Sequence, residues 1–307
     1  TLSLHDVLPI WASDFRTHIT ASRWDNFRRD LAAMETKLGT GAVAPLPAAR
    51  GEAVTDRHLD IATPAIRARL DRRRGLAIHS ATFAPDFSPA IGGIPHGYFD
   101  DIALQADWYT GDCVFEAPGE PKVTDLEWAT THVARAADGT VTVHGEIPTA
   151  LGPIIKIMTF HANQPRIDFQ IEFQWESWGR GALRLGHITL LPGAFDPESL
   201  SYATTNGGGT ERFTLSGQTT EHGAPVSFLV SATCALGMTE GWLTLADRRH
   251  GVRVEVDRQT APLIGLLTHR RAGAELFCQL MLSALELDET RKPAPPYREG
   301  PRRAVFS

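Results

Sequence analysis

The densest group of side chains able to do chemistry lies in the stretch Ile91–Asp101, which reads I-G-G-I-P-H-G-Y-F-D-D. His96 can transfer protons and Tyr98 offers a ring for stacking. Asp100 and Asp101 supply two carboxylates. Such a set suits sugar hydroxyl groups, which need paired donors and acceptors above an aromatic face. The alternative is a structured loop whose His and Asp side chains cap its own backbone.

A glycine-rich stretch, Thr204–Arg212 (T-T-N-G-G-G-T-E-R), contains the second candidate group. Its glycines would let the backbone approach a ligand closely, and Asn206 and Glu211 would add polar contacts. It is not a phosphate-binding loop, because the Lys-Ser/Thr pair of that motif is absent and no helix follows. His222, beside Glu221, could join the same cluster. A flexible turn and a solvated histidine are the alternatives for these residues.

The third candidate group lies in Trp11–Thr20 (W-A-S-D-F-R-T-H-I-T), just before a predicted helix. Asp14, Arg16 and His18 follow one another closely there. Capping of the helix would explain one or two of these polar residues, but not all of them. No nucleophilic triad, zinc-ligand spacing or dinucleotide fingerprint can be assembled from the sequence. We therefore predict neither a metal nor a cofactor, and the catalytic residues stay unknown at this stage.

These groups need a framework, and its clearest element is Arg166–Trp175 (R-I-D-F-Q-I-E-F-Q-W). Apolar and polar residues alternate through all ten positions, which predicts a strand with one apolar and one polar face. We expect it to be the central strand of a large antiparallel sheet. The polar face would be solvated scaffold, with Asp168, Gln170 and Glu172 as second-rank ligand candidates.

Strand-like segments follow one another through most of the chain, separated by short turns and with almost no helix. Asp138-Gly139, between two alternating runs, is a strong hairpin signal. The predicted fold class is mainly β, a large antiparallel two-sheet supersandwich with a short N-terminal helical segment. Three long loops interrupt the strands, Ala84–Ile102, Leu191–Glu211 and Ser216–Ala224, and loops of this length are usually functional or disordered. The first two are rich in glycine and polar residues, so we expect them to be functional.

The predicted domain organisation has five parts. Residues 1–10 (TLSLHDVLPI) resemble a translated sequencing adapter, and we interpret them as a gene-model artefact. Residues 11–39 would form a helical segment left from an upstream helical region, because apolar residues from Trp24 to Leu38 recur at spacings of three and four. Residues 40–56 would be a linker, 57–291 the β-supersandwich, and 292–307 a proline-rich tail on the surface.

Composition limits the classes of partner. The net charge is −6 with both signs interleaved, which argues against a nucleic-acid surface. No apolar run approaches the length needed to cross a bilayer. Cys113, Cys234 and Cys278 are far apart and form no Cys-x-x-Cys motif, so buried reduced thiols and a cytoplasmic location are expected.

Ala12–Phe15, followed by a helix with Trp, Phe and Arg, resembles a segment of glycoside hydrolase family 57. Phe15 replaces a Trp of that pattern, and Arg16 replaces the usual Pro. The order of a helical segment and then a large β domain is similar to the family 57 and 38 group, whose β domain is galactose-mutarotase-like. This resemblance implies a C-terminal fragment of an enzyme acting on α-linked sugars, with its catalytic carboxylates on a missing upstream barrel against which the chain would pack.

A second resemblance concerns His96–Asp100 (H-G-Y-F-D), which is similar to the H-x-Y-F-N stretch of aldose epimerases. It implies a free-standing sugar epimerase on the same fold, with a histidine as general acid and a glutamate as general base. The sequence does not select the glutamate, and Glu255 and Glu275 are no better placed than the others. A non-catalytic carbohydrate-binding module is the third hypothesis. In all three, the expected partner is a carbohydrate.

Overall fold

The computed structural model describes residues 51–95, 108–176, 181–215, 235–286 and 302–307, together with Arg29 and Tyr98. The chain divides into two units, Thr1–Ala48 and Ala49–Ser307. In the first unit the structure describes only Arg29, which is exposed, so the N-terminal helix stays a prediction. In the described residues of the second unit the regular structure is antiparallel strands apart from one short 3-10 helix, which confirms the mainly β fold class.

The first six-stranded sheet contains the strand predicted to be central. In spatial order its strands are β1 (Glu52–Val54), β8 (Thr130–Arg135), β9 (Val141–Ile147), β10 (Ile154–Phe160), β11 (Ile167–Phe173) and β20 (Arg303–Phe306). β11 pairs with β10 on one side and with β20 on the other, so it lies next to the sheet edge. Its apolar residues are buried and its polar residues half-buried, as the alternation predicts.

The second six-stranded sheet carries the cavity described below. Its order is β15 (Ala235–Met238), β18 (Ile264–Ala272), β19 (Glu275–Leu285), β12 (Ala182–Thr189), β6 (Cys113–Glu116) and β7 (Val123–Thr124). β12 lies in the middle, paired with β19 and β6. The two six-stranded sheets are in contact, since the Phe306 ring of β20 lies against Gly186 of β12.

Two four-stranded sheets complete the fold. One has the order β2 (His58–Ala62), β3 (Ile66–Asp71), β4 (Ala77–Phe83) and β5 (Ser88–Gly92); the other has the order β14 (Thr210–Thr214), β13 (Ser201–Thr205), β16 (Trp242–Ala246) and β17 (Gly251–Glu255). A short 3-10 helix, Arg72–Arg74, connects β3 to β4. Single backbone bridges attach each small sheet to a large one: Ile91 to Leu190, and Val256 to Phe306. These bridges extend the large sheets into the two layers of the predicted supersandwich.

Several boundaries differ from the sequence predictions. Glu52–Val54 is a strand within the predicted linker, and β5 lies inside the predicted loop Ala84–Ile102. β13 likewise lies inside the predicted loop Leu191–Glu211. The tail prediction is wrong for Arg303–Phe306, which pairs with β11 and buries Phe306. These strands have three to five residues, too few for a periodic signal to be recognised.

Candidate functional site

A cavity of about 260 Å³ lies on one face of the second sheet. Its floor is made by three neighbouring strands. On β6, Cys113 and Phe115 point into the core, and the alternate residues Val114 and Glu116 line the cavity together with Asp112. Gln279 and Met281 come from β19, and Arg184 and His187 come from β12. The strand period of two thus collects polar side chains on the face away from the core.

A β-bulge explains why Arg184 and His187, three residues apart, line the same cavity. The pairing of β12 with β19 shifts register between Leu185 and Ile188, so one extra residue is inserted there. Gly186 supplies that residue with φ +57°, a conformation that costs glycine little. Leu185 and Ile188 both stay in the core. The bulge therefore returns His187 to the face that Arg184 already occupies.

His187 and Asp112 form the most specific chemical arrangement in the cavity. His187 Nδ1 lies 2.6 Å from Asp112 Oδ1, and the two residues are only 8% and 6% exposed. Because an ionised carboxylate can only accept, we assign the hydrogen of this contact to Nδ1 as the donor. Nε2 of His187 is buried and has no hydrogen-bond partner among the described residues. Asp112 therefore holds one ring nitrogen of His187, and Nε2 is the nitrogen that this contact leaves over.

The remaining polar groups of the cavity are held by partners of their own. Glu116 forms an ion pair with Lys122, which also lines the cavity. Arg184 lies 3.5 Å from Glu286, whose carboxylate also accepts a hydrogen bond from Ser283. Their charges are thus neutralised in pairs at the cavity wall.

Neutral and aromatic side chains complete the wall. Gln279 Nε2 donates to Thr189 Oγ1 at 2.9 Å. Trp108 and Tyr109 supply aromatic surface, and the centroids of the Trp108 and Phe277 rings are 4.6 Å apart. An apolar wall beside fixed hydrogen-bonding groups is typical of small-molecule sites.

Tyr98 is a predicted site residue that the structure describes, and it contacts β19, one of the strands that line this cavity. Its hydroxyl group donates to Glu275 Oε1 at 3.1 Å. Partial burial and this hydrogen bond raise the pKa of Tyr98. Glu275 is two residues before Phe277 on β19, and Phe277 contacts the cavity residue Trp108. The stretch predicted to bind sugar therefore reaches the same strand that supplies Gln279.

Asn206 and Glu211 lie together at another place, on the hairpin between β13 and β14. Asn206 Nδ2 donates to Glu211 Oε2 and to the Gly237 carbonyl, both at 3.1 Å. Asn206 Oδ1 accepts from the Thr239 backbone at 3.0 Å. These contacts tie the hairpin to the end of β15. Neither residue is among the described residues that line the cavity. The other predicted site residues lie outside the described residues: Asp14, Arg16, His18, His96, Asp100, Asp101 and His222.

A larger cavity of about 430 Å³ lies on the polar face of β10 and β11. Asp168 and Gln170, two of the second-rank candidates, line it, whereas Glu172 pairs with Arg303 at 3.2 Å. Asp168 is bound by His161 Nε2 at 2.7 Å and by Arg166 Nε at 2.6 Å. All three side chains are about one third to one half exposed. Because these groups satisfy one another and contact water, the smaller cavity is the better candidate.

Sequence reasoning did not find Asp112, Glu116, Arg184 or His187. Two signals were available. A Gly-His pair inside an apolar strand run (R-L-G-H-I-T) is typical of a bulge that redirects a polar side chain. Asp112 ends a short polar stretch, Thr110–Asp112, just before an apolar strand. Their proximity could not be deduced, because Asp112 and His187 are 75 residues apart.

Within the described residues no group of three or more His, Cys, Asp or Glu could hold a metal ion. The described part of the chain also contains no helix with the length and apolar character that crossing a bilayer requires. No protein-family model matches the sequence, and no curated protein matches it either.

Comparison with solved structures gives similarities of low sequence identity. A protein from Escherichia coli K12, described as a candidate aldose 1-epimerase, has 11% identity and a TM-score of 0.43, and the match covers 81% of this chain and 97% of that one. A galactose mutarotase-like protein from Lactobacillus casei has 9% identity and a TM-score of 0.35, with 81% and 98% covered. The 4-α-glucanotransferase of Thermococcus litoralis has 9% identity and a TM-score of 0.45, with 85% of this chain and 39% of that chain covered.

Proposed function

We propose that the chain is a carbohydrate-active β domain that binds one sugar ring in the 260 Å³ cavity and interconverts its anomers. The observation that carries the proposal is the His187–Asp112 pair, two residues of the cavity lining in which Asp112 holds Nδ1 and leaves the buried Nε2 without a described partner. The volume is just below the range of about 300–1,000 Å³ typical of ligand pockets, which suits a single small ligand.

The chemistry needs two proton-transfer groups acting on one ring. Glu116 would accept the proton of the anomeric hydroxyl group as general base, while the His187 imidazolium would give its Nε2 proton to the ring oxygen as general acid. The bond between the anomeric carbon and the ring oxygen breaks, its electron pair goes to the ring oxygen, and an open-chain aldehyde forms. Rotation of the aldehyde and reversal of both transfers give the other anomer and restore the enzyme. Asp112 would stabilise the imidazolium through Nδ1–H.

The charge distribution points to a neutral sugar as the substrate. Glu116 and Lys122 neutralise each other, and so do Arg184 and Glu286. A phosphorylated or acidic sugar would have to compete with Glu116 or Glu286 for a cation that is already paired. Hydroxyl groups, by contrast, can bridge the paired groups and Gln279 without separating charges. Trp108 and Tyr109 would contact the apolar face of the ring.

The test follows the exchange of glucose and galactose anomers by NMR saturation transfer or polarimetry. Wild-type protein should accelerate the exchange. In His187→Ala the rate of catalysed exchange should fall by at least about 100-fold, as expected for removal of a general acid. In Asp112→Asn the exchange rate should fall by a similar factor, while the sugar still binds. Binding is followed through tryptophan fluorescence, and Trp108→Phe identifies the part of the signal that comes from the cavity.

His161→Ala is the matched control, because His161 forms a similar pair with Asp168, at 2.7 Å, beside the larger cavity. It should keep wild-type exchange rates. If His161→Ala abolished exchange and His187→Ala did not, the assignment of the site would be wrong. Binding without any exchange would leave a non-catalytic carbohydrate-binding module.

The sequence resemblance of Ala12–Phe15 to family 57 enzymes supports a second candidate function. In that case the chain is the C-terminal part of a glycoside hydrolase, and its β domain shapes the sugar site of an upstream catalytic barrel. Asp14, Arg16 and His18 would then approach the substrate from the helical side, and His96, Tyr98, Asp100 and Asp101 from the β domain. Asn206, Glu211 and His222 would extend the contact.

The two candidates differ in what the 307-residue chain does alone. As part of a hydrolase it would cleave no α-linked oligosaccharide and exchange no anomers, while a longer gene product that includes a barrel would hydrolyse. As an epimerase it would exchange anomers without any addition. Assay of the chain with aryl α-glycosides and with free glucose, side by side, separates them.

A further inference from the structure

A buried ion pair contacts the neighbours of the cavity residue Asp112. Lys156 of β10 and Asp125, which follows β7, are 1% and 0% exposed, and Lys156 Nζ lies 2.5 Å from Asp125 Oδ2. Burial of two charges costs desolvation energy that their attraction often fails to recover, and an apolar pair of similar volume is frequently as stable. The pair is therefore poorly explained by stability alone.

Two contacts of this ion pair hold the residues that flank Asp112, and a third, from Lys156 Nζ to the Gly75 carbonyl oxygen at 2.8 Å, holds the turn after the 3-10 helix. Lys156 Nζ donates to the carbonyl oxygen of Gly111 at 2.6 Å. Asp125 Oδ1 accepts from the backbone N–H of Cys113 at 3.0 Å. The peptide groups before and after Asp112 are thus each held by one member of the pair. The Gly111 N–H in turn donates to the His187 carbonyl at 2.7 Å.

We propose that Lys156 and Asp125 are positioning residues: they clamp the backbone on both sides of Asp112 and so fix its carboxylate against His187 Nδ1. The clamp selects the imidazole tautomer with hydrogen on Nδ1 and none on Nε2. The catalytic consequence rests on the proposed function, but the tautomer of His187 does not, and it can be measured without any sugar.

Other charged groups lie near the clamp. Asp112, Glu116, Lys122 and Arg184 line the cavity with His187. Asp112 also acts electrostatically on both Lys156 and Asp125. Removing Lys156 alone would therefore leave two carboxylates close together without a cation. The double variant Lys156→Met/Asp125→Leu avoids this and removes the clamp without adding net charge.

The experiment records the imidazole nitrogen shifts of protein labelled with ¹⁵N-histidine, with the His187 signals assigned by their loss in His187→Gln. Wild-type protein should show one tautomer, protonated at Nδ1. The double variant should show a mixture of tautomers, and its kcat for anomer exchange should fall by about 100-fold with KM changed less than about threefold. Asp125→Asn, which keeps an acceptor for Cys113, is the milder variant and should give a smaller population of the second tautomer.

The control is Leu243→Ala on β16, a fully buried apolar residue that lines neither cavity. It should lower stability and leave the His187 tautomer unchanged. A wild-type tautomer in folded Asp125→Asn and in the double variant would falsify the proposal. If the double variant does not fold, the result for Asp125→Asn alone decides. If wild-type protein exchanges no anomers, the proposed function fails, and the tautomer measurement still decides for or against the clamp.

Discussion

The ring of Phe306 occupies the space where any side chain at position 186 would begin. A β-carbon on Gly186 would lie 2.1 Å from Phe306 Cζ, far inside van der Waals contact. Phe306 belongs to β20 at the end of the chain, and Gly186 forms the bulge that directs His187 into the cavity. The last strand of one sheet thus supports the geometry of the candidate site on the other.

Gly186→Ala is expected to destabilise the protein and to disturb the site. The left-handed backbone costs an L-residue about 1–2 kcal/mol, and the overlap with Phe306 should add about 1–3 kcal/mol. Urea unfolding measures the loss, and the His187 tautomer reports the displacement. Gly208→Ala is the control, because nothing lies within 4 Å of that position. A Gly186→Ala variant as stable as Gly208→Ala would contradict the packing argument.

Phe306→Ala should lower the free energy of unfolding by about 3–5 kcal/mol, as expected for a buried aromatic residue. Its ring is 1% exposed and stacks on Phe169 with centroids 4.7 Å apart. In the double variant Gly186→Ala/Phe306→Ala the new cavity accepts the added methyl group. The two losses should therefore be less than additive by more than about 0.5 kcal/mol, the coupling expected of residues in contact. Strictly additive losses would show that the two residues do not interact.

Much of this framework was predictable from local pattern. The alternation over Arg166–Trp175 predicts β11 and the face it buries, and Asp138-Gly139 predicts the β8–β9 hairpin. Both signals are local, so no distant residue is needed to interpret them. By contrast, β20 follows a proline-rich stretch and has four residues, and its burial depends on Phe169 and Gly186 from distant parts of the chain.

The candidate site was less predictable for the same reason. Glu116 belongs to a strand of four residues, which is too short for a clear periodic signal. Asp112 can be recognised as a site residue only from its contact with His187. The lone lysine in I-I-K-I-M indicates a buried charge at Lys156, yet nothing local indicates that its partner is Asp125. Tyr98 shows the opposite case, because a polar stretch recognised from composition does reach the strand that lines the cavity.

A pH-dependent stability is expected from Asp247, in the turn between β16 and β17. Burial alone would raise the pKa of this carboxyl group, but hydrogen bonds from the backbone of Asp196, His250 and Arg249 dominate and lower it from 3.8 to about 2. Because the pKa is depressed in the folded state, the stabilisation is present above pH 3.8 and is lost as the pH falls towards 2. It amounts to about 2 kcal/mol at 1.36 kcal/mol per pKa unit.

Asp247→Asn isolates this contribution, since asparagine keeps one acceptor oxygen without the charge. Urea midpoints should differ between wild-type and variant protein at pH 6 and converge as the pH approaches 2. Asp138→Asn provides a comparison, because Asp138 also caps a hairpin turn through Thr140 but lies on the exposed surface. If the urea midpoints of wild-type protein and Asp247→Asn differed by the same amount at every pH, the charge itself would be unimportant.

The thiols of Cys113 and Cys278 should be unreactive in the folded protein. Both are buried and free, and burial raises the pKa of Cys278 to about 12 and that of Cys113 well above its usual range. Thiolate is the reactive species, so both access and ionisation oppose modification. In a Cys234→Ala background, which removes the third thiol, an aromatic disulfide reagent at pH 8 should release no thiolate until denaturant is added. Two thiols per chain should then react at once. Rapid reaction of one thiol in the native protein would mean that β6 or β19 opens locally, and comparison with Cys113→Ala would identify which strand does so.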